Sequence, residues 1–536
     1  MKKLFSTLSV CVIAVSAVAV PARRDGMIRM DTNGIEKTIF MNGDETFHFI
    51  TDADGNWLDE ETLLPMSEEV KGERLKTKGE SKMVKAQARR AKEETGTSRL
   101  LAPRGAVILV SYKDKAFKQT NADMTQWAMG DTYTYNGATG SIHQYFYDQS
   151  WGQYDLQIDV IGPVTVSQNA SYYGSNDRNG DDEHADELIV EACKLAADAG
   201  ADFSQYDSNN DGYVDWVVIL YAGKGEADGG AASTIWPHQF DLSYTEKAFK
   251  LNGKTVDHYC CLNEIDGQTG KRCGIGTFCH EFSHVMGLPD FYATNNASHR
   301  TLNSWDVMDY GPYNNNGNTP PNYSAYERWF MGWFTPTFIT DACSVTLHAL
   351  HENRAACYIT ENGDKAITNI LRPSPKTFYM IENRQQTGWD TYLAGSGMMI
   401  TKIQWSEAAW EGNTVNNTSS KLGVDIIEAK TNTSSYTDRA TDLYPKGATS
   451  FIQVENFRLT DIAMSNKVVT FDVNGGGENI VLAVENVQSD KVQSTKVLRN
   501  GQLLIMRDGK TYDVMGRIVD YKTRILENYK TRIPEY

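Results

Sequence analysis

Histidines 280 and 284 flank the run His280-Glu281-Phe282-Ser283-His284, and two imidazoles so spaced can share a metal ion only where the backbone between them is helical. A step of four residues puts both rings on one helix face, with Glu281 beside them rather than between them. Zinc held in this way brings the pKa of a water toward ~7, and a neighbouring carboxylate takes its proton as the water attacks a carbonyl. The pattern therefore demands a helix inside a folded domain and points to hydrolysis. Gly287 can end that helix in a left-handed conformation and turn the chain back. Leu288-Pro289 then stiffens the approach to Asp290, ten residues after His280, whose carboxylate is a candidate third ligand. A helix-end carboxylate that never meets metal is the competing reading of Asp290.

At about 150 residues per domain, a chain of 536 residues divides into roughly three or four units. A content of 40% hydrophobic and 23% charged residues is that of an ordinary globular protein. The net charge of −17 opposes phosphate backbones and anionic lipid, so no nucleic-acid partner is expected. Met1-Lys2-Lys3, the apolar run from Leu4 to Ala19 and the small residues Ala17 and Ala19 have the layout of a signal peptide, residues 1–19. The run falls short of the ~20 apolar residues of a membrane span, which favours a secreted or cell-surface protein with no stable span. Removing it takes Cys11 and leaves seven cysteines. In an oxidising compartment the 260/261/273/279 cluster and the 343/357 pair could each give a bridge, with buried or structural cysteines as the favoured reading.

Residues 20–104 begin as an acidic, hairpin-like stretch and end rich in Lys and Arg, with Arg89-Arg90, Arg99 and Arg104, which reads as a propeptide followed by a processing region. From Ala106 an apolar run of the buried-strand kind opens a folded domain. His184 to Ala197 has helical spacing and Val214 to Tyr221 is a second buried-strand run, so 105–340 is expected to be a mixed α/β (α+β) catalytic domain. Segments 377–382, 397–403 and 424–428 predict a β-rich domain over 341–473. Asn474-Gly475-Gly476-Gly477 reads as a flexible linker to a small β module and tail, 478–536, with turn dipeptides Asn500-Gly501 and Asp508-Gly509. Asp207, Asn209, Asp211 and Asp215, with Gly212 among them, follow the alternation of a calcium loop. Val218 stands where an EF-hand has its bidentate Glu, so an EF-hand is excluded, and an acidic turn without an ion is the equal alternative.

His280 to Asp290 taken whole resembles the HExxHxxGxxD signature of the immune-inhibitor-A family of secreted bacterial zinc metallopeptidases. The likeness extends over about residues 105–470, through Asp207 to Asp215, Ile235-Trp236-Pro237-His238, Trp305-Asp306-Val307-Met308-Asp309 and Ile381 to Gln385. It implies a zincin-type catalytic domain, endopeptidase activity on protein or peptide substrates, and a propeptide acting as inhibitor. Carried over by position, His280, His284 and Asp290 would hold zinc and Glu281 would be the general base. By analogy with metzincins, Met308 would floor the metal site and Tyr310 would face the developing oxyanion. Residues 20–104 contain no cysteine, so latency through a thiolate is excluded once cleavage removes Cys11; Asp44, Asp52, Asp54 and His48 are the candidates to block the metal, with ordinary hairpin-turn groups as the stronger reading of any one of them. The competing functions are a zinc hydrolase of cell-wall peptides and a non-catalytic surface-binding protein on a zincin scaffold.

Overall fold

The computed structural model describes residues 19–45, 47–60, 62–77, 103–177, 180–363, 365–454, 456–483, 495–499, 502–507 and 510–513. The signal segment, apart from Ala19, and the basic processing stretch 78–102 lie outside the described residues. Two compact units divide the chain, one through Ala483 and one from Val484.

The first unit is organised on a five-stranded sheet in the order Gln157–Thr165, Arg104–Ser111, Val217–Lys224, His258–Ile265 and His238–Asp241. Its first four strands run parallel, and His238–Asp241 closes the edge antiparallel to His258–Ile265. Ala106 to Val110 and Val217 to Leu220 are wholly buried, as parallel strands covered on both faces must be. The periodic acidic segment forms the helix Ala185–Asp198. The histidine motif lies on the helix Gly276–Val285, whose Phe282 packs edge-on against Trp216 at 5.1 Å. Trp216 in turn lies over Gly105, where a Cβ would stand 2.4 Å from the indole.

Residues 27–58 form a four-stranded antiparallel sheet, followed by the helix Glu68–Thr77. Beyond residue 336 two five-stranded sheets face each other. Alternation along Thr377–Arg384 explains how they connect to the catalytic region. Tyr379 and Ile381 turn toward Phe451, Leu459 and Phe471 of the opposite sheet, while Phe378 and Met380 join the core that holds the motif helix. The β-rich part is therefore packed into the catalytic core through one face.

One sequence expectation changes, and the open alternative for the cysteines is decided. Asn474-Gly475-Gly476-Gly477 is a turn, because Asn479–Leu482 returns to pair parallel with Cys343–Leu347, and the break between units falls after Ala483. The seven described cysteines are all free thiols, six of them buried, so neither cluster forms a bridge. In the second unit, Thr495–Arg499, Gln502–Arg507 and Lys510–Asp513 form a three-stranded antiparallel sheet. Its turn dipeptides and the tail 514–536 lie outside the described residues.

A chain ending at residue 340 loses Phe378, Met380, Met399 and Ile403 from the main core. Each such side chain contributes about 1.5–3 kcal/mol, against a total domain stability of about 5–15 kcal/mol. The truncated protein is expected to show no cooperative thermal transition by circular dichroism, and a sharp transition would show the catalytic region to be self-sufficient.

Candidate active site

The helix Gly276–Val285 is closed by a C-terminal motif that also builds the site. Gly287 has φ +97°, its N–H donates to the His284 carbonyl and the Leu288 N–H donates to the Ser283 carbonyl. The reversal returns the Leu288 carbonyl to His284, whose Nδ1 lies 2.7 Å from it. His280 Nδ1 lies 2.7 Å from the Val307 carbonyl. With each Nδ1–H donating to a carbonyl, both Nε2 lone pairs face inward, the tautomer a metal requires.

The two Nε2 atoms stand 3.1 Å apart, and Asp290 Oδ1 lies 3.1 Å from His280 Nε2 and 3.3 Å from His284 Nε2. All three residues are buried, and their donor atoms lie within 4.8 Å of one another. Three lone pairs converging without a proton between them repel unless a cation sits among them. The residues therefore fit a metal held by two imidazoles and a carboxylate. Burial raises the Asp290 pKa, while positive charge shared with the facing His284 and His280 brings it to about 2, so a proton or a metal ion among the three groups keeps Asp290 a carboxylate. Burial lowers the His284 pKa and favours the neutral ring. Asp290 is fixed from both sides by Asn413, which accepts from the Asp290 N–H at 2.7 Å and donates Nδ2 to Oδ2 at 2.6 Å. Asn413 comes from the β-rich part, and no spacing rule pointed to it.

Glu281 is wholly buried, and burial pushes its pKa well above the ordinary carboxylate range. Its Oε1 accepts from the Val20 backbone N–H at 2.7 Å. The carbonyl on the other side of that peptide bond, Ala19 C=O, accepts from the Tyr292 hydroxyl at 2.7 Å. The segment continues outward with Val20 C=O accepting from Trp236 Nε1, Pro21 C=O from the Tyr313 hydroxyl and the Arg23 N–H donating to Ala227 C=O. A strap from the start of the chain thus lies along the site with one peptide bond between Tyr292 and Glu281.

Residues 110–334 match the family model described as the immune inhibitor A peptidase M6 catalytic domain. Over that stretch the chain is similar to catalytic domains of the immune inhibitor A type. Immune inhibitor A of Bacillus thuringiensis subsp. alesti is 29% identical over 224 residues, which cover 36% of this chain and 31% of the relative. Pre-pro-metalloprotease PrtV of Vibrio cholerae serotype O1 (strain M66-2) is 27% identical over 230 residues, 37% of this chain and 24% of the relative. The chain spans less than a third of the length of these relatives.

Other residues expected from the sequence fall differently. Met308 is buried and its carbonyl accepts from the Phe291 N–H, while the neighbouring Val307 carbonyl orients His280. Tyr310 carries the Arg24 guanidinium 3.3 Å above its ring, and the phenol on the strap carbonyl is that of Tyr292. Asp207, Asn209, Asp211 and Asp215 do share one loop, but Lys254 Nζ stands 2.6 Å from Asp207 Oδ2. Asn209 bonds Asp211, and Asp215 accepts from the Ser208 N–H. Of the four groups proposed to block the metal, Asp52 accepts from the Asp54 and Asn56 N–H groups and closes an exposed turn with Asp54. Asp44 accepts from the Phe47 N–H. Glu45, buried with neither side-chain oxygen hydrogen-bonded, faces Asp290 and Glu281 electrostatically, and burial together with the neighbouring carboxyls pushes its pKa well above the ordinary range.

His48 clamps the 27–58 sheet to the domain. Its ring stacks on Trp236 at 4.7 Å, and Nε2 lies 3.1 Å from Glu226 Oε1, both residues being buried. Glu60 and Arg74 face the same group, Arg74 donating to the His48 carbonyl and to Glu60.

Two outcomes are expected from this geometry. Asn413→Ala removes both bonds that orient Asp290, and metal affinity measured by competition with a chromogenic chelator is expected to fall about 10–100-fold. Burial disfavours the charged His48, yet Glu226 lifts its pKa from 6.5 to about 9. A folded pKa above the unfolded one gives stability that is complete below about pH 6.5 and lost as the pH rises through about 9. Limited proteolysis of the full chain should therefore open the 27–58 sheet above about pH 9, and His48→Gln should open it already at neutral pH. Equal protection from pH 6 to 10 would remove the clamp, since that window spans the interval between the two pKa values.

Proposed function

We propose that the protein is a secreted zinc metalloendopeptidase made as a zymogen, with residues 1–19 as signal peptide and 20–104 as propeptide. His280, His284 and Asp290 hold the zinc, and Glu281 is the general base. The observation that carries this reading is the strap, whose Ala19–Val20 peptide bond lies between Tyr292 and Glu281 beside the His-His-Asp cluster as a substrate bond would. Signal removal after Ala19 leaves Val20 as a terminal amine on Glu281, so the strap then lies in the groove as a cleaved product would. A relative named as a pre-pro-metalloprotease supports a precursor form. Among the described residues no helix is long and apolar enough to cross a membrane.

Zinc, when bound, supplies the Lewis acid that acidifies water and polarises the substrate carbonyl. The protein's own groups do the rest. Glu281 stands where it can accept a proton from water and return it to the departing amine at the position Val20 N occupies. The Tyr292 hydroxyl donates to the carbonyl oxygen where negative charge develops, the role that sequence analogy gives to Tyr310. Trp236 and Tyr313 hold the leaving-side backbone by its carbonyls, which orients the bond without reading side chains. With the strap in place, Glu281 is engaged by Val20 and the groove is filled, which accounts for latency.

For the Asp207 loop, calcium is a second proposal. The oxygens alternate as calcium requires, and a bound ion would displace Lys254.

One experiment tests the assembly. Processed protein beginning near Gly105 should hold one zinc and cleave denatured protein, while the precursor retaining the strap should be nearly inactive. Glu281→Gln should retain zinc and lose about 10²–10⁴-fold in kcat. Tyr292→Phe should lower kcat more than Tyr310→Phe. Metal analysis on the same samples counts calcium. Turnover of Glu281→Gln within tenfold of the parent protein would refute the general-base role, as ~10² is the least such a loss costs.

A further inference from the structure

We propose that Asp228 and Asp266 form a subsite for the cationic side chain of a basic residue four positions beyond the cleaved bond, on its C-terminal side. This rests on the peptidase reading and adds to it a preference for basic substrates.

The strap supplies the register. If the Ala19–Val20 bond stands for the bond to be cleaved, then Val20, Pro21, Ala22 and Arg23 occupy the first four positions on the leaving side. Arg23 is only 2% exposed, an unusual state for an arginine near a chain terminus. Its Nη1 donates to Asp266 Oδ2 at 2.6 Å, its Nη2 donates to Asn316 Oδ1 at 2.9 Å, and its guanidinium lies 5.5 Å from the Tyr313 ring centroid. Within the strap itself, Nε reaches Asp25 at 3.3 Å.

The pocket belongs to the catalytic domain and is built for a cation. Asp228 is buried, and its Oδ1 accepts no hydrogen bond, while Oδ2 is taken by the Gly267 N–H. Asp266 Oδ1 is taken by Thr269, which leaves Oδ2 for the guanidinium. Lys224, the nearby cation, donates to the Gly267 carbonyl at 2.6 Å and acts on Asp228 through its charge, while Asp228 Oδ1 is left without a hydrogen-bond donor. Once the strap leaves, two carboxylates face an open pocket with one buried oxygen unpartnered. A buried uncompensated charge is costly, so a guanidinium or ammonium arriving on a substrate relieves it.

The test uses processed, zinc-loaded enzyme and peptides that differ only at the fourth leaving-side residue, as Arg, its neutral isostere citrulline, or Glu. The kcat/KM for Arg is expected to exceed that for citrulline by at least tenfold, with Glu lower still. Asp266→Asn and Asp228→Asn keep the acceptors used by Thr269 and Gly267, and each should shrink the Arg-to-citrulline ratio toward one. A second measurement does not need turnover. Calorimetry of the peptide Val-Pro-Ala-Arg-Arg-Asp and its fourth-position citrulline analogue on the processed protein should show tighter binding of Arg, lost in Asp266→Asn. Equal rates and equal binding for Arg and citrulline overturn the subsite, as does a preference that survives both substitutions. No cleavage of any peptide, together with Arg-selective binding, would sink the peptidase reading and leave the pocket standing.

Discussion

Two imidazole nitrogens and a carboxylate oxygen, all buried and all within 3.3 Å of a neighbour in the set, are tolerable only around a cation, and much of the architecture serves to keep them there. The helix Gly276–Val285 supplies the spacing of the histidines. Its closure at Gly287 does two further things, returning the Leu288 carbonyl to His284 and aiming the chain at Asp290. The Val307 carbonyl fixes the other ring from a distant loop, and Asn413 fixes Asp290 from the β-rich part. Asp290 is therefore oriented by a residue outside the matched 110–334 segment, which gives a physical reason for the two β sheets to share a core with that segment.

How far this was legible depends on the range of the interaction. Helical spacing of His280 and His284, the left-handed turn at Gly287 and the buried run from Ala106 are local, and each has a local signature that the structure matches. The strands at 377–384 and 397–404 are likewise where alternation and apolar runs put them. Chain order hides pairing across distance. Asn413 lies 123 residues from Asp290, and nothing about an asparagine after a glycine announces a ligand's partner. The Asn474–Gly477 turn has the composition of a linker, and only its pairing strand at 479–482 reveals it as part of the sheet. Val20 acts through its backbone N–H, a group every residue but proline has, so no residue-type argument could single it out.

The Asp207 loop shows the same limit from the opposite side. Oxygens at alternate positions are what a calcium ion needs, and they are equally what a turn before a strand uses to satisfy its own N–H groups. Here Asp207 takes the N–H groups of Asp211 and Gly212, and its remaining charge is met by Lys254, which pairs with it across 47 residues. One distant lysine thus supplies the compensation that the local pattern alone would assign to an ion.

The strap contacts also separate two kinds of recognition within one groove. Close to the cluster, Tyr292, Trp236 and Tyr313 donate only to carbonyls, which any peptide presents. Further out, the contacts shift to side chains, with Arg23 against Asp266 and Asn316, and Arg24 against Tyr310, Tyr436 and Asn303. Backbone carbonyls at the reacting bond fix its orientation without restricting sequence, whereas buried charge at a distance can discriminate strongly because an unpaired carboxylate there is costly. Under the proposed function, a groove arranged in this order would orient many peptides at the His-His-Asp cluster and sort them by the side chains several residues downstream. The same arrangement lets the protein's own first residues occupy it, since they carry both the generic backbone and the matching arginines.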